Sequence, residues 1–473
     1  MPVSPSSPLL LAAGSDLLAA RNQMALSLGW HIVLACFGVA LPAMIFVLHR
    51  RGLRGDADAL VLAKRWAKVS AVLFAIGAVS GTILSFEMGM LWPGLMGPYG
   101  DVIGLPFALE GIAFFLEAIF LGIYLYGWGR LPGRVHSLTL VPVMIAGAAG
   151  TFFILAVNAW MNAPSGFTLV DGVPTDIDPL AAMFNDAVLI QYLHMFIAAY
   201  MVVGFLMAGV YAWARLRGRD DRYHRLGMAV PLTFALVATL AQPVIGHLAG
   251  NGVADRQPAK LAAMEGLAET TTNAKVELGG RWDGEQLVGG IEVPIPGLLS
   301  FLAQNDPSAE VIGLNDIPVD ERPPVNIVRI SFQIMLAIGF SLFGLALFGL
   351  AVRWRRGRWP SSSWFLRAVV AAGPAAVIAL ETGWITTEVG RQPWIVYGLV
   401  RTEDAVTDAG WVWLSYGVLA AVYAGLTVGA VLVLRGMSRS WREGGEPRAP
   451  YGPPEPLGQP ESDEPQSAAE VTR

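Results

Sequence analysis

The chain has 473 residues, of which 54% are hydrophobic and 15% charged, and its mean hydropathy is +0.52. An ordinary soluble protein carries about 25% charged residues, so this composition excludes that class. The formal net charge of -5 gives no indication of a nucleic-acid surface. The single cysteine, Cys36, excludes an intrachain disulfide framework and a thiolate metal site.

Apolar segments long enough to cross a lipid bilayer recur along the chain. About 20 apolar residues in a helix span the hydrocarbon core of a membrane. The pattern predicts an all-α polytopic membrane protein with nine transmembrane helices. The predicted spans lie near 23–48, 69–91, 105–128, 138–160, 187–213, 227–247, 327–352, 366–389 and 411–434.

The lysines and arginines outside the spans fall mainly on one side of the predicted membrane. The segments that follow the odd-numbered spans carry 22 of the 32 basic residues. On the other side, 92–104 and 161–186 carry none, 390–410 carries two and 248–326 carries five. Because cytoplasmic loops hold the excess of basic residues, we predict an N-terminus outside and a cytoplasmic C-terminus.

The remaining segments complete the predicted organisation. Residues 1–22 are an N-terminal extension, followed by spans one to six in 23–247. The segment 248–326 is an outer loop, and loops of that length are usually functional or disordered. Spans seven to nine lie in 327–434. The tail 435–473 ends in a Pro-, Glu- and Ser-rich stretch, which predicts disorder in the cytoplasm.

Five side chains that can bind metal lie within the spans at similar predicted depth. At 1.5 Å per helical residue, they fall ~9–14 Å below the outer surface and can form one layer. Imidazole, thioether and carboxylate groups are ligand types for haem iron, whereas an iron–sulfur cluster would need cysteines. Zinc and di-iron sites normally place ligands three or four residues apart on one helix. The layer comprises His31, Glu110, His194, Met335 and Glu381.

Two further glutamates lie within spans, where ionisable residues mark candidate functional sites. Glu117 follows Glu110 by seven residues, so the two share a helical face about 10 Å apart in depth. This spacing predicts a carboxylate relay toward the cytoplasm, the alternative being one acid in a polar pocket. Glu87 lies near the outer end of span two, where it is either functional or extends to the membrane surface.

Ordered motifs along the chain resemble subunit I of the cytochrome bd quinol oxidases. The resemblance covers Arg21 to Arg439, with all nine spans. Its most specific motif is EVGRQPWIVYG at 388–398. The other matching motifs are ARNQMALSLGWH, ALEGIAFFLE, VNAWMNAPSGF, QYLH and AKLAAMEG.

The resemblance implies three haems with assigned ligands. His194 and Met335 would be the axial ligands of a low-spin haem b. His31 and Glu381 would each serve one of two high-spin haems, a haem b and a haem d, and which of them serves the oxygen site is open. Glu110 would lie beside or on the oxygen-reducing haem. The outer loop is of the short type that includes cyanide-insensitive oxidases, in which a third haem b can replace haem d.

The resemblance also implies roles for protons and quinol. Glu117 would be the proton-path acid, although the family spacing from Glu110 is eight residues, and Glu87 would lie near the haems. Lys260 and Glu265 would contact quinol.

One motif and one single residue near the outer surface bear on the haems. In the GRQPW motif, Arg391 and Trp394 lie at the outer surface, where Arg391 can pair with a haem propionate. Gln333 replaces an arginine usual two residues before the methionine ligand, which removes a charge near the low-spin haem.

The implied protein is the haem-containing catalytic subunit of a terminal oxidase in the bacterial plasma membrane. It would oxidise quinol at the outer face and reduce O2 to water, generating a proton motive force without pumping. Its partners would be subunit II and, as in some members, a small single-span subunit. One alternative is an electron-transfer subunit with only six-coordinate b haems. The other is a proton-coupled transporter in which His31, Glu110, Glu117 and His194 relay protons without a cofactor.

Overall fold

The computed structural model describes residues 8–445 and is mostly helical, with four short two-stranded sheets. The helices are α1 (Pro8–Gly52), α2 (Ala57–Leu91), α3 (Pro93–Tyr126), α4 (Gly133–Leu138), α5 (Leu140–Asn162), α6 (Pro179–Met183), α7 (Val188–Leu216), α8 (Arg222–Arg256), α9 (Pro258–Glu265), α10 (Leu298–Gln304), α11 (Val325–Arg356), α12 (Ser363–Val389), α13 (Thr402–Ala405) and α14 (Val412–Arg442). The strands are β1 (Thr168–Val170), β2 (Val173–Thr175), β3 (Thr271–Thr272), β4 (Glu277–Trp282), β5 (Leu287–Glu292), β6 (Glu310–Val311), β7 (Trp394–Val396) and β8 (Val400–Arg401). All pairs are antiparallel: β1–β2, β3–β6, β4–β5 and β7–β8.

Within residues 8–445, nine helical segments are long and apolar enough to cross a membrane, as predicted. They are α1, α2, α3, α4 with α5, α7, α8, α11, α12 and α14. The main apolar core lies among α1, α2, α7, α8, α11 and α12. The helices α7, α8, α11 and α12 form a closed ring of contacts, because α7 and α11 each pack against both α8 and α12.

Most of the spanning helices extend beyond their predicted ends, α1 and α14 among them. Helix α1 begins at Pro8 rather than 23, and α14 continues to Arg442 rather than 434. Hydropathy marks only the part of a helix that crosses hydrocarbon, whereas a helix can continue into polar interfacial sequence. Arg21, for example, donates from Nη2 to Gln392 Oε1 at 2.8 Å. The rest of the predicted tail, from 446 to 473, lies outside the described residues.

The segment predicted as a long outer loop has regular structure of its own. It holds α9, α10 and the β4–β5 hairpin, and Trp282 packs in a small apolar core with Leu314 and Val328. Arg329 of α11, only 1% exposed, donates to the carbonyl oxygens of Glu265, Glu277 and Gly279. These bonds fix α9 and the hairpin to the outer end of α11.

Candidate functional site

Helices α1 and α2 hold His31 in a defined orientation. His31 Nδ1 lies 2.7 Å from Ser80 Oγ, and that hydroxyl donates to the Gly77 carbonyl oxygen at 2.9 Å. A hydroxyl has one proton, so Ser80 must accept its second bond from Nδ1–H. The Nε2 lone pair of His31 is then available to a metal, the arrangement typical of a ligating histidine.

Four of the five predicted ligand side chains lie against a glycine of a neighbouring helix. At each contact the ligand occupies space beside a bare Cα, so a larger residue there would displace it. Two of the contacts lie in the ring of α7, α8, α11 and α12. A Cβ on the glycine would lie 3.2 Å from His31 Cε1 at Gly81, 3.6 Å from His194 Cε1 at Gly246, 2.8 Å from Met335 Sδ at Gly383 and 3.2 Å from Glu381 Oε2 at Gly29.

Several buried polar atoms in this region have no hydrogen-bond partner among the described residues. They include Glu381 Oε1 and both Nε and Nη1 of Arg391. Buried polar atoms are nearly always satisfied, so these atoms indicate a bound group. A carboxylate oxygen suits iron, and two guanidinium nitrogens suit a propionate. The residues therefore fit haem.

Gln242 of α8 was not among the residues predicted from sequence. Its Nε2 lies 3.2 Å from His194 Nε2 and 3.3 Å from His194 Nδ1, and its Oε1 is buried without a partner in the part of the chain that the structure describes. A glutamine in a membrane span is a polar signal, but only the fold shows that it contacts His194.

The two acids of α3 lie at different levels of the bundle. Glu117 is 9% exposed, and its Oε1 lies 3.2 Å from where a Cβ on Gly38 would be. The Glu117 carboxyl carbon lies 3.7 Å from the same position on Gly147, so this side chain lies where α1, α3 and α5 meet. Glu110 is half-buried. Their joint role in a proton relay stays a prediction.

Glu87 is buried inside the bundle at 3% exposure. Its Oε1 accepts from Gln23 Nε2 at 2.8 Å, and Gln23 Oε1 accepts from Ser415 Oγ at 2.6 Å. Glu87 thus lies among α1, α2 and α14, and the alternative that it extends to the membrane surface is wrong. Its Oε2 has no partner among the described residues.

Lys260 of α9 belongs to a chain of hydrogen bonds that runs to the GRQPW motif. Its Nζ donates to Asn162 Oδ1 at 2.9 Å, and Asn162 Nδ2 donates to Asn158 Oδ1 at 3.2 Å. Asn158 Nδ2 donates to Glu388 Oε1, and Arg391 Nη2 donates to Glu388 Oε2, both at 2.5 Å. Sequence reasoning missed Asn158, Asn162 and Glu388 as separate residues, although the quoted VNAWMNAPSGF and EVGRQPW motifs contain them.

The electrostatics of α9 suit proton chemistry near neutral pH. Burial lowers the pKa of Lys260 to about 7, with further lowering by Arg391 and Arg256 and an opposing effect of Glu388. Burial also raises the pKa of Glu265 to about 7, against the effect of Arg329. Both groups therefore have pKa values close to neutral pH.

Lys260 and Glu265 lie on different faces of α9. They are five residues apart, which is about 140° around a helix. Lys260 faces the ends of α5 and α12, whereas Glu265 lies near Arg329 of α11. The structure does not join them into one hydrogen-bonded pair.

The other two predicted outer residues contact protein groups. Gln333 Oε1 accepts from the Gly279 backbone N–H at 2.9 Å, and its Nε2 donates to the Glu277 carbonyl oxygen at 3.1 Å. Its amide thus holds the β4–β5 hairpin, and its influence on the low-spin haem stays a prediction. The Trp394 ring centre lies 5.0 Å from Arg401 Cζ.

Comparisons with known proteins identify the family of the chain. Residues 19–441 match the family model for cytochrome bd terminal oxidase subunit I. A putative cytochrome bd menaquinol oxidase subunit I from Bacillus subtilis is 36% identical over 89% of this chain and 96% of the relative. A cytochrome bd ubiquinol oxidase subunit 1 from the same species is 31% identical over 89% of this chain and 92% of the relative.

A solved structure supports the same assignment. The bd oxidase from Geobacillus thermodenitrificans matches with a TM-score of 0.83 and 39% identity, over 90% of this chain and 98% of that chain. Oxidases of this family carry haem and work as multi-subunit complexes. The chain therefore belongs to the cytochrome bd terminal oxidase subunit I family, as the catalytic subunit of a respiratory quinol oxidase that crosses the bacterial plasma membrane several times.

Proposed function

We propose that this subunit oxidises quinol at the outer face and takes the protons for oxygen reduction from the cytoplasm. Charge then separates across the membrane without a pump. The observation that carries the outer site is the hydrogen-bonded chain from Lys260 through Asn162, Asn158 and Glu388 to Arg391. This chain links the outer loop 248–326 to the buried guanidinium of Arg391. The basic residues in the opposite loops support the sidedness, with the N-terminus outside.

The proposed haem ligands are those that the sequence indicated. His194 and Met335 hold a low-spin haem b, while His31 and Glu381 serve the two high-spin haems, with Glu110 beside or on one of them. One high-spin haem is a haem b and the other a haem d or a third haem b. When bound, the haems supply the electron-transfer and oxygen chemistry.

The residues of this chain handle the protons. Glu265 accepts a proton as quinol loses electrons, and Lys260 holds a ring oxygen. A cavity of about 480 Å³ lies next to the hydrogen-bonded chain, because Asn162 forms part of its wall together with Arg256 and Tyr397. Its volume is in the range of small-molecule sites, about 300–1,000 Å³. On the other side, Glu117 passes protons from the cytoplasm toward the haems, and Glu87 lies in the outer half near the haems.

The partners complete the proposal. We expect a multi-span subunit II and, as in some members of the family, a short single-span subunit. The apolar outer faces of α2, α11 and α14, which are mostly exposed in this chain, are available to lipid and to these subunits.

The decisive experiment is a reduced-minus-oxidised absorption spectrum of the purified complex, with carbon monoxide added to the reduced sample. A far-red chlorin band that shifts with carbon monoxide is expected for haem d, and a response from b haems alone for an all-b oxidase. The absence of any response would instead support the electron-transfer alternative. A colourless complex would support the transporter.

The ligand on α12 can be tested separately, because Glu381 and Glu388 are seven residues apart and share a face. Glu381 Oε1 has no partner among the described residues, whereas both oxygens of Glu388 are hydrogen-bonded. We therefore expect Glu381→Ala to remove one high-spin haem signal and Glu388→Ala to retain it, as measured by haem content and spectra. Loss of that haem in Glu388→Ala alone would move the ligand role to Glu388.

A further inference from the structure

A buried cluster of rings lies at the end of α3 near the basic loops, and the proposed function leaves it without a role. It consists of His49, Tyr124, Trp128 and His136, here called the ring cluster. His49, Tyr124 and His136 are at most 2% exposed. The His49 ring centre lies 4.9 Å from that of His136, edge on, and 4.8 Å from that of Trp128, stacked. Lys64 Nζ lies 5.3 Å from the Trp128 ring centre, at the margin of the cluster.

Hydrogen bonds in the ring cluster involve exchangeable protons. His49 Nδ1 lies 3.0 Å from the Tyr124 hydroxyl, which can donate or accept. His136 Nε2 lies 2.7 Å from the Tyr124 carbonyl oxygen. Because a carbonyl can only accept, His136 carries its proton on Nε2. Tyr124 is thus held from both sides, with its hydroxyl directed at an imidazole.

Tyr124 continues the line of acids along α3. Glu110, Glu117 and Tyr124 follow at intervals of seven residues, so they share a face and lie about 10 Å apart along the axis. Helix α3 contacts α1 at the level of Glu117 and again at the level of Tyr124. Glu117 contacts Gly38 of α1, and Tyr124 contacts His49 of α1, eleven residues further along. Eleven residues complete about three turns, so Gly38 and His49 also share a face.

We propose that the ring cluster is where protons from the cytoplasm enter the path to Glu117, with the Tyr124 hydroxyl as the relay. The inference rests on the proposed function and its sidedness. In the relay, the N–H bond at His49 Nδ1 breaks as a new O–H bond forms on Tyr124. The original Tyr124 proton leaves to a short file of water, which covers the remaining distance of about 10 Å to Glu117. No electrons move, and the relay resets when the Tyr124 hydroxyl turns its new proton toward the water and His49 Nδ1 takes up the next proton from the cytoplasmic side.

The test is Tyr124→Phe in the complete oxidase, which removes one oxygen atom and keeps the ring. We expect quinol-driven oxygen consumption to fall about tenfold or more, because relay groups contribute about 10²–10⁴-fold to proton-transfer steps. Proton uptake from the cytoplasmic side of proteoliposomes should slow equally, and the solvent deuterium isotope effect should rise. The haem spectrum should not change.

Tyr99→Phe is the matched control. Tyr99 is a buried tyrosine of the same helix at the opposite end, with its ring 5.5 Å from that of Trp160. It should retain full turnover and a normal isotope effect. Equal loss in both variants would indicate that α3 simply needs its tyrosine hydroxyls for packing, which overturns the proposal.

His49→Gln provides the second variant, since an amide can hydrogen-bond Tyr124 but cannot shuttle a proton. It should reproduce the effect of Tyr124→Phe, and it decides the matter if Tyr124→Phe loses its haems. If Tyr124→Phe and His49→Gln keep their haems and take up protons at the normal rate, while Glu117→Gln takes them up slowly, the ring-cluster proposal is overturned. The proposed function would then still stand. Normal uptake in Glu117→Gln as well would contradict the proton path itself.

Discussion

Replacing His194 or Met335 with alanine is expected to abolish the low-spin haem absorbance and to reduce quinol-driven oxygen consumption to background. A low-spin haem iron needs both axial positions filled, and alanine offers no ligand. The two residues lie on α7 and α11, which both pack against α8 and α12. The measurement is the reduced-minus-oxidised spectrum of each purified complex, together with its haem content.

His247→Ala is the control for a histidine on this part of the bundle. His247 lies near the outer end of α8, is partly exposed and pairs with Asn305 Oδ1 at 2.8 Å. Its loss should leave the spectrum unchanged. Persistence of the low-spin signal in both ligand variants would contradict the assignment.

A milder pair of variants tests the geometry at Met335. A Cβ on Gly383 would lie 2.8 Å from Met335 Sδ, closer than real contacts allow, so Gly383→Ala should displace the thioether and shift the low-spin band. A Cβ on Gly339 of α11 would have no heavy atom within 4 Å, so Gly339→Ala should leave the low-spin band unchanged. An unchanged band in Gly383→Ala would show that this contact does not set the ligand position.

The spans were predictable from the sequence because hydropathy is a local property. Their ends were not, since Arg21 continues α1 as a helix ahead of the predicted span while bonding Gln392, a residue of a distant loop. The burial of Glu87 depends on α14, more than 300 residues further along the chain. A pattern within one span cannot reveal which other helix covers it.

In the candidate site, too, the sequence indicated which residue types matter but not which residues they contact. Side-chain chemistry at a common depth brought His31, His194 and Met335 to attention. The bond from Asn158 to Glu388 joins positions 230 residues apart, and Gln333 bonds a hairpin more than 50 residues before it. Such pairings arise from tertiary packing, so only the fold reveals them.

Lys260→Met and Glu265→Gln are each expected to slow quinol oxidation about a hundredfold while leaving the haem spectrum intact. Glu265→Gln keeps the length of the side chain, Lys260→Met shortens it by one atom, and both remove its charge; groups that take part in proton transfer contribute about 10²–10⁴-fold. The steady-state rate with a soluble quinol measures the loss. Lys275→Met and Glu292→Gln are matched controls, because these two form an exposed ion pair at 2.7 Å. Loss of haem in the α9 variants would instead indicate a structural role.

The pH dependence separates the two roles. Glu265 accepts a proton only as a carboxylate, and its pKa is raised to about 7 by burial, so the rate should rise as the outer pH increases through about 7. Lys260 holds the ring oxygen best as an ammonium, and burial lowers its pKa to about 7, so the rate should fall above that pH. The wild-type profile should therefore be a narrow bell near pH 7.

Each variant should remove one limb of that bell. Glu265→Gln should lose the acidic limb and keep the alkaline one, and Lys260→Met should do the reverse. Because the two residues lie on different faces of α9, the limbs should be lost independently. If either replacement removed both limbs, the two groups would titrate as one unit, and separate roles in proton acceptance and ring positioning would be wrong.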